Sequence, residues 1–240
     1  MSHARALLAA VAALQVAHGC RPAPRPPRET RALLIAMTAA SAAEAVEARG
    51  GPRGAAALAV PGVVGFAAEV TGVATGLPFG AYSYSERLGP RIAGVPLLAA
   101  AAWAIMARPA WVAAGWCTER PSRRVPLAAA ALTAWDAYLD PRMAAEGYWH
   151  WPSGGRYEGI PASNFAGWFA TGLAAFATTA LLDGAAPRRR DDGALALYAW
   201  TWLGEAYANA ALWRRPRVAA TGGLAMGAVA IPALWRRSRA

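Results

Sequence analysis

Apolar stretches close to the ~20 residues that an α-helix needs to cross the hydrocarbon layer of a bilayer recur along this chain, each ended by arginine, proline or glycine. No other feature narrows the fold as much. Inside hydrocarbon every backbone N–H and C=O must find its partner within the protein, so runs of this length and character are read as helices. They fall near residues 31–48, 56–78, 93–115, 124–140, 164–182, 194–213 and 217–235. A shorter run at 6–19 reads either as a signal-peptide core or as a short first membrane helix, and the second reading is preferred. The stretch RPAPRPPRETR at 21–31 separates that run from the rest as a non-helical loop. The expected fold is all-α, a polytopic transmembrane helical bundle of about seven helices, six to eight in all. Residues 1–30 form an N-terminal segment and residues 31–240 a single transmembrane helical domain.

Composition agrees. Hydrophobic residues make up 56% and charged residues 16% of the chain, where an ordinary soluble domain carries about 45–50% and about 25%. The net charge of +10 comes from arginine alone, since no lysine occurs. The arginines cluster between the apolar segments, at Arg21/Arg25/Arg28/Arg31, Arg120/Arg123/Arg124, Arg188 to Arg190, Arg214/Arg215/Arg217 and Arg236/Arg237/Arg239. That placement suits loops facing anionic lipid headgroups, so the lipid bilayer of the cell membrane is the expected partner and nucleic acid is not. Cys20 and Cys117 belong to no metal-ligand spacing, and no metal site is expected.

Ionisable groups inside apolar segments cost at least ~2.5–3.5 kcal/mol each at mid-helix, so each needs a reason. Asp136 and Asp140 are four apart, so on a helix they share a face, beside Trp135 and just before a break expected at Pro141. They are either a carboxyl pair that holds a proton or structural groups, Asp136 paired with an arginine and Asp140 capping the loop. Glu69 opens a Gly72/Gly76/Gly80 stripe that would let a neighbouring helix come close. It is either a buried acid with a function or a structural hydrogen-bonding group. Tyr198, Trp202, Glu205 and Asn209 make a polar-aromatic stripe of the kind that holds helices together. Glu44 and Glu47 are expected at a solvated helix end, and His150 between Trp149 and Trp151 in an interfacial belt. The loops 79–92 and 141–163, rich in Gly, Pro, Tyr and Trp, are expected to form part of any active face.

No Walker loop, strand-borne G-x-G-x-x-G, H-E-x-x-H, G-x-S-x-G or histidine-box cluster is present. Two kinds of function remain: acid chemistry on a lipophilic molecule, or proton-coupled carriage or lipid binding that uses the same buried acids.

Two blocks are specific enough to compare with known families: FAAEVTGVATGLPFGAYSYSERLGPRIAGVP at 66–96 and AWDAYLDPRMAAEGYWHWPSGGRYEGIPASNFAGWF at 134–169. With their connecting helix they cover a little under half the chain. They resemble the carotenoid biosynthesis membrane proteins typified by the carotenoid 1,2-hydratases, bisanhydrobacterioruberin hydratase among them. The shared pattern falls on Glu69, Gly72, Gly76, the Phe79/Gly80/Tyr82/Tyr84 turn, Gly94–Val95–Pro96, Trp135–Asp136, Asp140–Pro141, Gly159–Ile160–Pro161, Asn164–Phe165, Gly167 and Trp168. Arg108 departs from it, and is expected to shorten its helix or to snorkel to the interface.

The resemblance implies addition of water across the terminal isoprenoid double bond of an acyclic carotenoid, giving a tertiary alcohol. Such a hydro-lyase reaction needs a strong positioned acid, a surrounding that tolerates a tertiary carbocation, and a guided water, with no metal or organic cofactor. Asp136 with Asp140, or Asp136 with Glu69, would supply the acid and base. Tyr82, Tyr84, Trp135, Tyr157 and Trp168 are the rings available to bind the substrate and its cation. Asn164 either orients the water or caps the helix after Pro161.

Overall fold

The structure, a computed structural model, describes residues 2–182, 187 and 189–240; Arg188 of the arginine cluster at 188–190 lies outside them. Eight α-helices occur among the described residues: α1 (His3–Gly19), α2 (Pro27–Arg49), α3 (Gly51–Thr75), α4 (Leu97–Cys117), α5 (Pro121–Ala145), α6 (Ala162–Leu182), α7 (Asp192–Tyr207) and α8 (Pro216–Ser238). Prolines open α2, α5 and α8, where a missing N–H removes no helical bond. The run at 6–19 folds as α1.

Four helices, α3, α4, α6 and α8, are long and apolar enough to cross a membrane by length and composition. The expected segments on α2, α5 and α7 are helical but do not join them: α2 and α5 carry acids and arginines along their length, and α7 has 16 residues. The most buried of these four stands at the centre, where α4 packs against α2, α3, α5, α7 and α8. Its residues 103–115 are continuously buried. Close approach of α3 rests on Gly65, where a Cβ would fall 2.2 Å from the Trp103 ring.

Arg108 neither shortens α4 nor snorkels. It is buried mid-helix and grips Glu44 of α2 through Nε at 2.7 Å and Nη2 at 2.9 Å, with Asp191 at 3.0 Å. Arg49 reaches the same Asp191 at 3.1 Å. Glu44 is therefore a buried ion-pair partner and not a solvated end residue, because the guanidinium can be kept away from water only if a carboxylate comes with it. Glu47 is exposed, as expected.

Pro141 does not end α5, which runs on to Ala145. Proline deprives the Ala137 carbonyl of its helical donor, and the Tyr157 hydroxyl replaces that donor at 2.8 Å. The loop after α5 therefore repairs the helix it follows. The loops on either side of α4 and α5 are joined by a two-residue ladder, β1 (Ser83–Tyr84) against β4 (Trp149–His150), in which Tyr84 faces Trp149. A second small ladder, β2 (Arg91–Ile92) with β3 (Val95–Pro96), leads into α4.

Candidate active site

Under the joined loops, α3, α5 and α6 bring three acids and an amide together. Asp136 and Asp140 are buried and project from one face of α5. The Asn164 Nδ2 on α6 donates to both, at 2.9 Å to Asp136 Oδ2 and 2.5 Å to Asp140 Oδ2. Asn164 does not cap α6, because the helix begins at Ala162 and places it inside the first turn. The Asp136 Oδ1 has no hydrogen-bond partner among the described residues.

Glu69, also buried, receives three donors. Trp103 Nε1 donates to Oε1 at 3.1 Å, the Tyr84 hydroxyl donates to Oε2 at 2.8 Å, and the Tyr82 hydroxyl makes a short bond to the same oxygen. Burial, and then the adjacent Glu69 carboxylate, push both phenols well above their ordinary value, so they remain neutral donors. The glycine stripe serves this arrangement and not a helix seam. A Cβ on Gly72 would meet Phe79 at 2.8 Å and the Tyr82 hydroxyl at 3.0 Å, while Gly76 ends α3 in the left-handed region. The glycines let the loop fold back onto the acid.

A cavity of about 750 Å³ opens beside these groups, within the size range of small-molecule sites. Glu69, Asp140, Asn164, Tyr82, Tyr84, Trp135 and Trp168 line it. Trp168 stacks on Trp103 at 4.0 Å and meets Trp135 edge-on at 6.1 Å. Tyr82 stacks on Trp151 at 5.8 Å, and Tyr84 meets Trp149 edge-on at 5.7 Å. Further along, Leu33, Leu34 and Met37 of α2 and Leu203 of α7 add aliphatic surface to the walls.

Two expected site residues lie off the wall. Asp136 sits behind Asp140 and Asn164, in hydrogen-bond contact with the amide but outside the lining. Tyr157 holds the Ala137 carbonyl and packs edge-on against Phe165. Burial pushes its phenol up to about 12, so it stays a donor. His150 is exposed. Among the described residues no group of three or more His, Cys, Asp or Glu is placed to hold a metal ion.

The sequence reading missed Trp103, Trp149 and Trp151. Trp103 carried one usable signal, since Gly65 stands four residues before Glu69 and leaves room for a ring from the next helix. Trp149 and Trp151 flank His150, which is expected in an interfacial belt, but both line the cavity, Trp149 opposite Tyr84 in the β1–β4 ladder.

A sequence model of the carotenoid biosynthesis protein family matches residues 30–230. The chain belongs to that family. Every acid, amide and ring of the carotenoid biosynthesis protein's candidate site falls within the match, and α1 falls outside it. Neither the curated proteins nor the solved structures gave a match.

Proposed function

We propose that this carotenoid biosynthesis protein is a hydro-lyase of the cell membrane that adds water across the terminal isoprenoid double bond of an acyclic carotenoid. The observation that carries the reading is the Asn164 amide shared by Asp136 and Asp140 at the wall of an aromatic cavity.

Two carboxyl groups that meet one amide nitrogen hold a proton between them, because like charges this close resist double ionisation. Asp140, which faces the cavity, delivers that proton to the less substituted alkene carbon. The alkene's electron pair forms the new C–H bond and leaves a tertiary cation. Trp168, Trp135 and Tyr82 offer ring faces to that charge, an attraction of about 2 kcal/mol when desolvated. Water adds to the cation through oxygen, and the proton it sheds passes to the carboxylate left behind, which restores the acid. Asp136 stores and returns charge behind Asp140. Glu69, fixed by three donors, positions the water. Atoms and charge balance with water as the one co-reactant.

The test is expression in cells that accumulate acyclic carotenoids, followed by mass spectrometry. A new carotenoid heavier by one water is expected. Well-expressed protein that yields no hydroxylated product from several acyclic candidates would overturn the reading.

A further inference from the structure

The cavity holds a second group of polar side chains that hydration does not use. Arg142 of α5, Glu205 of α7, His18 and Gln15 of α1, and Thr30 of α2 all line it. Asp140 and Arg142 are two positions apart, which on a helix turns them about 200° from each other, so these groups form a separate polar patch.

Two other arginine–carboxylate pairs are tight. Arg108 meets Glu44 twice, at 2.7 and 2.9 Å, and Arg237 meets Asp192 twice at 2.5 Å. Arg142 and Glu205 touch once, at 3.4 Å, the one hydrogen bond of the Arg142 side chain among the described residues; its guanidinium otherwise lies over the Trp213 ring at 5.4 Å. The Glu205 Oε2 has a single long partner, Asn209 Nδ2 at 3.4 Å, and His18 Nε2 lies 3.4 Å from Thr30 Oγ1. All three contacts stand at the long limit for a hydrogen bond and leave donors and acceptors unused beside the cavity. Glu205 comes just before a π-helical turn, Ala208–Leu212, an irregularity frequent at functional sites. The buried Asn209 in that turn keeps Oδ1 without a partner among the described residues.

We infer that Arg142, Glu205 and His18 form a hydroxyl-binding subsite for the part of the isoprenoid chain that does not react. A hydroxyl can donate to Glu205 and accept from Arg142 at once, replacing their one long contact with two ordinary bonds. A hydrocarbon would strip water from these groups and return nothing, which is how a polar site rejects an apolar analogue. The inference rests on the hydratase reading for the nature of the chain. His18 comes from α1, outside the stretch that the family model matches.

The test compares binding of two matched acyclic polyenes, one carrying a hydroxyl remote from the terminal alkene and one without, to the purified full chain in detergent. Quenching of tryptophan fluorescence reports binding, since Trp200 and Trp213 line the cavity. The wild type is expected to bind the hydroxylated polyene about tenfold more tightly or better, as for one added bond to a charged group. In Glu205→Gln, which keeps side-chain size, and in Arg142→Gln, which removes the guanidinium, the ratio of affinities should fall to about one. A wild-type ratio of one, or a ratio unchanged in both variants, overturns the subsite. Because the readout is binding, a protein that prefers the hydroxylated polyene but yields no alcohol keeps the subsite and loses the hydratase reading.

Discussion

The Asn164 side-chain amide lies 2.5 Å from Asp140 Oδ2, and the same nitrogen reaches Asp136 at 2.9 Å. One amide thereby fixes both carboxyl groups. Asp140→Asn and Asp136→Asn are each expected to lower hydration by about 10²–10⁴, the usual contribution of a positioned acid or base. Asn164→Leu, which removes the donor and keeps the bulk, should fall in the same range. Product formation per mole of folded protein, with folding followed by gel filtration in detergent, checks all three. Full activity in Asp136→Asn would move the proton to Asp140 and Glu69.

Glu69 is held by hydroxyls that can be removed singly. Tyr82→Phe and Tyr84→Phe each delete one donor to a carboxylate, worth about 1.5–3 kcal/mol. Each is expected to slow turnover by about tenfold or more with little change in binding. Both phenols are pushed up, not down, so neither loses its proton as pH rises through about 10, the ordinary phenol value. No alkaline loss of rate should trace to them. The pH–rate profiles of wild type and both variants should share one alkaline limb.

Much of this site was legible from residue spacing. The four-residue interval put Asp136 and Asp140 on one face, and Glu69 stood out because an acid in an apolar run requires a partner. What the spacing could not supply was the partner's identity. Asn164 lies 28 residues from Asp136, and its amide joins the acids only because α6 packs along α5. The roles of Arg108 and Glu44 are hidden for the same reason. Taken singly, each looks like a residue that must reach water, and the 64-position separation hides the pairing. Pro141 looks like a helix end in the sequence because the donor that rescues its turn comes from the loop at Tyr157.

The Arg108–Glu44 pair carries a stability prediction. Removing one partner leaves a buried uncompensated charge, so Arg108→Met or Glu44→Leu alone should destabilise the protein by about 3–5 kcal/mol. The double variant should recover a large part of that loss. Thermal unfolding in detergent, followed by circular dichroism, measures all three. Additive losses in the double variant would contradict a closed ion pair.

Tyr157 separates structure from catalysis. Tyr157→Phe leaves the Ala137 carbonyl unpaired, at a cost of about 1–3 kcal/mol, and removes no group from the cavity wall. Melting temperature should fall while turnover of the folded protein stays within a few-fold of wild type. A large loss of turnover at unchanged melting temperature would place Tyr157 against the substrate.

The central claim is that the carboxyl pair adds water to an alkene, and the origin of the product's oxygen tests it most directly. Purified protein should be given an acyclic carotenoid in oxygen-18-labelled water, and the product examined by mass spectrometry. The account predicts a tertiary alcohol at the chain end that carries the label, formed by wild type and lost in Asp140→Asn. An unlabelled alcohol, or no alcohol from folded protein that binds the carotenoid, would contradict it.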